Sequence, residues 1–242
     1  MSDSYNHRCK IGNWYESQVL DDLQLEEYKQ RRERGTAASS ALQIQKLLEK
    51  AVEGKFQREE CISEGDMITI GTKMDDRDLV LGVDPRDPLP FEDDASTVSA
   101  GPAKKAARSL FVIRKFKSGS DDPVIRFGDA IELTSEVMDS VVLSSQPQGT
   151  AVNSPITSKQ AVFMIPPEQG RVSARSKWEV VYPDTEWRLE EIGRPVKRGE
   201  ALLLKHGTTG AFLNVGGSFH NLFGVEYEMV GAKKPQLWCF NV

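Results

Sequence analysis

Cysteine is scarce in this chain and poorly placed for bonding. Cys9, Cys61 and Cys239 are odd in number, stand far apart and form no CxxC pair. That argues against a disulfide framework and for reduced thiols in an intracellular protein. No apolar run approaches the ~18 residues that a membrane-spanning helix requires, so no membrane association is expected. The first residues, Met1 to His7, lack the apolar core of a secretory signal, and a secreted sugar-binding protein is disfavoured accordingly. Positive charge is short as well. With 31 Lys and Arg against 36 Asp and Glu, the net charge is −5. A surface with no basic excess is poorly suited to phosphates, so no nucleic-acid partner is expected.

Catalytic and metal-binding patterns are missing too. The three histidines, His7, His206 and His220, belong to no HExxH or Cys/His cluster, and no calcium-loop pattern occurs; neither metal nor cofactor is expected. Gly207-Thr208-Thr209-Gly210 and Gly216-Gly217-Ser218 lead no strand into a helix, as phosphate cradles do, and read as hairpin turns. The acidic pairs Asp75-Asp76 and Asp93-Asp94 fall in polar stretches, where carboxylates are solvated. No nucleophile, base and orienting group assemble, so the chain reads as a binding or structural protein with no enzymatic activity.

What the sequence does contain is a block that recurs three times. A glycine and an acidic residue precede an apolar strand: Gly65-Asp66-Met67-Ile68-Thr69-Ile70, then Gly128-Asp129-Ala130-Ile131-Glu132-Leu133, then Gly199-Glu200-Ala201-Leu202-Leu203-Leu204. A second strand follows each after a short gap. The spacings are 63 and 71 residues. Repeats of this kind decide the fold before any local pattern does. The glycines are expected at positive φ in a tight turn, with the acidic residue supporting that turn. Phe111, Trp178 and Trp238 recur near the repeat ends and are assigned to the core and its cap. The expectation is a mainly β chain, a β-trefoil-like (MIR-type) domain of three pseudo-repeats with an N-terminal α-helical arm. Closure of such a sheet would remove exposed edges. The domain division is 1–58 for the arm and 59–242 for the β domain, with lobes of about 59–117, 118–184 and 185–242.

In the arm, Glu16 to about Arg34 reads as a charged helix, and a second helix runs from a Ser39 or Ser40 cap to about Val52. Arm 1–58 holds ten Lys and Arg against nine Asp and Glu. Its helices carry too few apolar residues for a core of their own, so they rest on the β domain or on a partner. The segment 84–108, rich in Asp, Pro, Ser and Ala, reads as a surface loop because proline cannot donate to a ladder. A second loop covers 146–160.

Several phrases, taken in order, resemble one family. Ile11-Gly12-Asn13-Trp14-Tyr15-Glu16 opens the arm. Arg108-Ser109-Leu110-Phe111-Val112-Ile113, Arg126-Phe127-Gly128-Asp129, Tyr182-Pro183-Asp184, Arg188-Leu189-Glu190 and Phe223-Gly224-Val225-Glu226-Tyr227-Glu228 follow. Together they resemble cilia- and flagella-associated protein 161, over the chain from about residue 8 onward. The loops 84–108 and 146–160 differ from that family, and contacts there do not carry over. The resemblance implies a microtubule inner protein on the luminal face of the doublet A-tubule near the seam, in the axoneme of motile cilia and flagella. Its partners would be α/β-tubulin and neighbouring microtubule inner proteins. Ile11, Trp14 and Tyr15 are the expected anchors, since two aromatics in a polar arm have no local core to fill and aromatics are favoured at interfaces. Arg31, Arg32 and Arg34 are candidates for acidic tubulin surface, or else a solvated helix face. Two other readings stay open: a ligand- or sugar-binding module, and an accessory subunit that docks an enzyme.

Overall fold

Six strands of this chain place large apolar residues at i and i+2, the period that turns one face of a strand inward. In the computed structural model these pairs are Ile68 and Ile70, Phe111 and Ile113, Ile131 and Leu133, Trp178 and Val180, Leu202 and Leu204, and Trp238 and Phe240. All are buried in one cluster. The structure describes residues 29, 38–51, 60–89, 92–102, 106–116, 122–135, 137, 141–149, 153–167 and 173–241. Two compact units divide the chain, Met1–Lys46 and Leu47–Val242.

The strands are β1 (Met67–Met74), β2 (Arg77–Leu89), β3 (Glu92–Pro102), β4 (Phe111–Lys115), β5 (Ala130–Ser135) and β6 (Val142–Ser145). They continue as β7 (Gln160–Ile165), β8 (Trp178–Val181), β9 (Ala201–His206), β10 (Phe212–Asn221), β11 (Gly224–Ala232) and β12 (Trp238–Asn241). All pairings are antiparallel. Strand β1 pairs with β12, β12 with β9, β9 with β8, β8 with β5, β5 with β4, and β4 with β1 again. The sheet therefore returns on itself as a closed barrel whose six ring strands fill their own interior. The hairpins β2–β3, β6–β7 and β10–β11 extend the same sheet and pair with one another through β3–β7, β11–β7 and β11–β3.

The expected fold class, a β-trefoil-like domain with an α-helical arm, is corrected by this pairing. The chain forms a single closed antiparallel β-barrel. The ladders that close it join strands from different repeats, β1 to β12 above all. A repeat spacing gives the strands but not their partners. Among the described residues one helix of more than a turn appears, α1 (Ala38–Leu48); the expected charged helix from Glu16 to about Arg34 lies, apart from Lys29, outside the described residues. Helix α1 begins before Ser39 and Ser40, which lie inside it, and it stops short of the expected Val52. Its end coincides with a contact to a distant segment: Ala51 bridges Ala106, and the Lys50 carbonyl accepts from the Ala107 amide.

The repeated blocks do sit at equivalent turns. Gly65, Gly128 and Gly199 have φ of 90°, 94° and 70°, as expected of glycine in a turn that side chains disfavour. The acidic residue after each accepts from a backbone amide three residues upstream: Asp66 from Ser63, Asp129 from Arg126, Glu200 from Lys197, at 2.9, 2.9 and 3.1 Å. The segments before these turns bond in a cycle, Ile62 amide to Val196 carbonyl, Val196 to Ile125, and Ile125 to Ile62. Phe111, Trp178 and Trp238 are buried, and the two indoles donate to the Leu143 and Leu213 carbonyls at 2.9 and 3.0 Å.

Two local readings change. Pro85 and Pro88 lie within β2, and Glu92–Pro102 forms β3, so most of the expected loop 84–108 is sheet; the register shift between Asp84 and Pro88 lets the ladder step over Pro85, which lacks a donor, and resume at Pro88 opposite Ser96. Gly216-Gly217 is no hairpin turn. It sits at the β10 irregularity between Val215 and Ser218. A Cβ at Gly216 would come within 2.6 Å of the Glu228 side chain. Gly207–Thr209 does form the β9–β10 turn, and among the described residues of 146–160 only Gln160 is in a strand.

Candidate interaction surface

Two clusters of polar and aromatic side chains stand apart from the apolar interior. The first lies between the β2–β3 and β10–β11 hairpins. A short 3-10 turn, Ala107–Ser109, turns Arg108 inward. Its guanidinium donates to Glu226 through Nη1 at 2.8 Å and Nη2 at 3.1 Å, and Nη2 also donates to Ser99 Oγ. The Ser99 hydroxyl and the Asn221 amide donate to Glu226 Oε2 at 2.7 and 2.6 Å. The Phe223 ring lies 3.7 Å from the guanidinium carbon. Both charged residues are buried, Arg108 to 5% exposure and Glu226 to 3%. A polar cavity of about 230 Å³ adjoins them, edged by Glu49, Ser109 and Phe223.

The second cluster builds a projecting turn between β8 and β9. Strand β8 ends at Val181, and beyond Pro183 the chain makes a helical turn in which the Glu190 and Glu191 amides donate to the Trp187 carbonyl. Arg188 donates through Nε to the Tyr182 carbonyl at 3.0 Å and through Nη2 to the Pro183 carbonyl at 3.3 Å. Arg194 is bonded to Glu191 and Glu200 and lies over the rings of Phe127 and Tyr182, at 4.9 and 5.5 Å. Those rings meet edge to face at 5.2 Å. Arg126 Nη1 donates to the Gly193 carbonyl at 2.8 Å, and the Gly193 amide to the Phe127 carbonyl. The carboxylate of Glu200 loses most from burial, yet its bonds to Arg194 and to the Lys197 amide hold it below the usual carboxylate range. Arg194 is correspondingly pushed further up, chiefly by its bond to Glu200. With its base fixed, the turn presents Trp187 (53% exposed), Leu189 (82%) and Ile192 (58%) to solvent.

His206 packs inside the barrel. Its ring lies buried against Trp178, with Nδ1 2.9 Å from Thr209 Oγ1 and Nε2 2.9 Å from the Arg175 carbonyl. Burial pushes its pKa down, with the Arg175 carbonyl opposing. Among the described residues no His, Cys, Asp or Glu group could hold a metal ion, and no helix is long and apolar enough to cross a membrane. Cys61 and Cys239 are free thiols. Asp75 and Asp76 form the exposed β1–β2 turn at φ 47° and 61°. The sequence-derived anchors Ile11, Trp14 and Tyr15, with Arg31, Arg32 and Arg34, lie outside the described residues.

The barrel has counterparts among solved structures. The SDF2-like protein from Arabidopsis thaliana superposes with a TM-score of 0.61 at 16% identity, over 74% of this chain and 94% of its own. A Caenorhabditis elegans protein of unknown function does so with a TM-score of 0.61 at 17% identity, over 76% and 98%. In the S. cerevisiae protein O-mannosyltransferase Pmt1-Pmt2 complex bound to the sugar donor, the match has a TM-score of 0.59 at 13% identity. It covers 78% of this chain and 26% of that one. Identities this low show a shared fold and nothing of function. No family model matches the chain, and no curated protein does.

Sequence reasoning missed both clusters as sites. Arg108 and Glu226 are 118 residues apart, and nothing local announces their meeting. The turn did carry a signal: Trp187, Leu189 and Ile192 stand among Asp184, Glu186, Glu190 and Glu191 in a short segment that follows Pro183.

Proposed function

We propose that this chain is a structural microtubule inner protein of motile cilia and flagella. It binds α/β-tubulin on the luminal face of the doublet A-tubule near the seam, beside other inner proteins, and stiffens the axoneme. The carrying observation is where the family-like phrases meet. The Arg108 phrase and the Phe223–Glu228 phrase, far apart in the chain, join as one buried ion pair. The Arg126–Asp129, Tyr182–Asp184 and Arg188–Glu190 phrases together build the projecting turn. A chance likeness of short phrases has no reason to select residues that interlock. The rest of the reading is physical. A barrel whose six-strand ring is closed is a rigid wedge for a lattice, and an arm that binds as well raises avidity without one large interface.

The test is fractionation of motile cilia carrying a tagged full chain. The chain should stay with the doublets through detergent and then high-salt washes. Release with the detergent-soluble matrix would overturn the reading. The second reading, a small-molecule or sugar-binding module, is favoured by the polar cavity beside Arg108. Specific binding of the full chain on a glycan array would support it.

A further inference from the structure

We propose that the turn from Asp184 to Gly193 docks into a second protein through a cleft that is apolar at its floor and rimmed by Lys or Arg. This deepens the inner-protein reading and rests on it, naming the surface and the chemistry of the neighbour. Single exposed apolar residues are ordinary, but a contiguous patch marks a contact. Here Trp187, Leu189 and Ile192 fall within six residues, each more than half exposed.

The turn is fixed before any partner arrives. Arg188 ties its entry to the Tyr182 and Pro183 carbonyls, and Arg194 ties its exit to Glu191 and Glu200. Little ordering entropy remains to be lost on docking, which is how a small rigid patch gains affinity. A Trp flanked by aliphatics on such a base is the composition of an interface anchor.

Charge selects the occupant. Asp184, Glu186 and Glu190 are exposed around the apolar tip, with Glu191 half-buried beside them. Of the cations close by, Arg194 is paired with Glu191 and Glu200, and Lys197 with Glu60 at 2.7 Å; Arg188 points back to the Tyr182 and Pro183 carbonyls, and its single charge is outnumbered by Asp184, Glu186 and Glu190. The tip thus shows an anionic rim, which a basic rim complements and which phosphate-bearing surfaces do not. A second copy of this chain is a poor host. One apolar groove on the described barrel, of about 300 Å³, has Glu228 as its charged lining residue. Another, of about 450 Å³, has Lys73 facing Asp78.

The experiment places a photo-crosslinking amino acid at position 189 of the tagged full chain in ciliated cells. It is compared with the same chain carrying Glu186→Lys and Glu190→Lys. Both charges are on the surface, and an unchanged urea midpoint of the purified chain verifies that the barrel is intact. Crosslinks should collect on one other protein, at a segment where apolar residues are flanked by Lys or Arg, and the charge reversal should cut their yield at least tenfold. Crosslinks to another copy, to an acidic segment, scattered over many proteins, or indifferent to the reversal would overturn the proposal. Loss of the chain from the doublet fraction would instead sink the inner-protein reading. The crosslinks formed in the soluble fraction would then decide the docking surface by the same criteria.

Discussion

Replacing Glu226 with Gln should destabilise the barrel by about 3–5 kcal/mol, the usual cost of stranding one member of a buried ion pair. The carboxylate accepts two bonds from Arg108, one from Ser99 and one from Asn221. An amide at this position turns one oxygen into a donor that faces donors, and it leaves the guanidinium buried at 5% exposure without a counter-charge. The surroundings leave little room to adjust. A Cβ at Gly101 would fall 2.4 Å from Glu226 Oε1, and one at Gly82 would fall 2.8 Å from Arg108. The two strands are shaped around the pair. Against a total stability of ~5–15 kcal/mol for a typical domain, such a loss lowers the melting temperature by about 6–20 °C at this size. Urea unfolding followed by tryptophan fluorescence reads it directly, since Trp178 and Trp238 are buried. The double variant Arg108→Met with Glu226→Leu removes both charges and should cost less than Glu226→Gln alone, because no orphaned ion remains. A loss below about 1 kcal/mol for Glu226→Gln, or a double variant that costs more than Glu226→Gln alone, would refute the account of the pair as an interlocked and desolvated unit.

Three other outcomes are expected. His206 is held neutral by burial, so the unfolded chain binds its proton more readily. Stability from this group is complete above the ordinary imidazole value of about 6.5 and is lost as pH falls below it, by at most ~1.4 kcal/mol per pH unit; His206→Gln should flatten the difference in urea midpoint between pH 7.5 and 5.5, and an unchanged difference would count against the assignment. Gly65→Ala should cost about 1–2 kcal/mol from backbone strain alone, since its φ is 90° and a Cβ there meets nothing within 4 Å, while Gly149→Ala, equally unobstructed, should be near neutral in the same denaturation assay. Trp14→Ala should weaken retention in doublets while leaving the urea midpoint unchanged, and normal retention would remove the arm from the binding argument.

Much of this barrel was legible in the sequence at the level of strands and turns. The Gly-acidic blocks announced three turns, and Gly65, Gly128 and Gly199 adopt the positive φ that only glycine accepts without strain. The i, i+2 pairs in the ring strands gave the inward face. What the sequence withheld was pairing at long range. β1 meets β12 at a separation of some 170 residues, Thr69 beside Asn241 and Gly71 beside Cys239, and no local pattern encodes that closure. The same limit hid Arg108 from Glu226. Proline misled for a related reason: Pro85 and Pro88 argue against a strand by their missing donors, but a ladder with shifted register tolerates them. The helix end coincides with a contact to Ala106, far down the chain.

The three-way cycle of hydrogen bonds at Ile62, Ile125 and Val196 bears on how load passes through such a protein. Each of these segments leads directly into a block turn, and the turn before β9 also anchors Arg194 through Glu200. A force applied at the projecting Trp187 tip is therefore passed by Arg194 to Phe127 and Glu200, into two of the three turns. From there the cycle carries it into the third. Strand ladders pulled in shear share strain over several bonds at once, so the closed ring has no weak edge from which to peel. Under the proposed inner-protein reading, a partner docked at this turn would load two of the block turns through Arg194 rather than one hairpin.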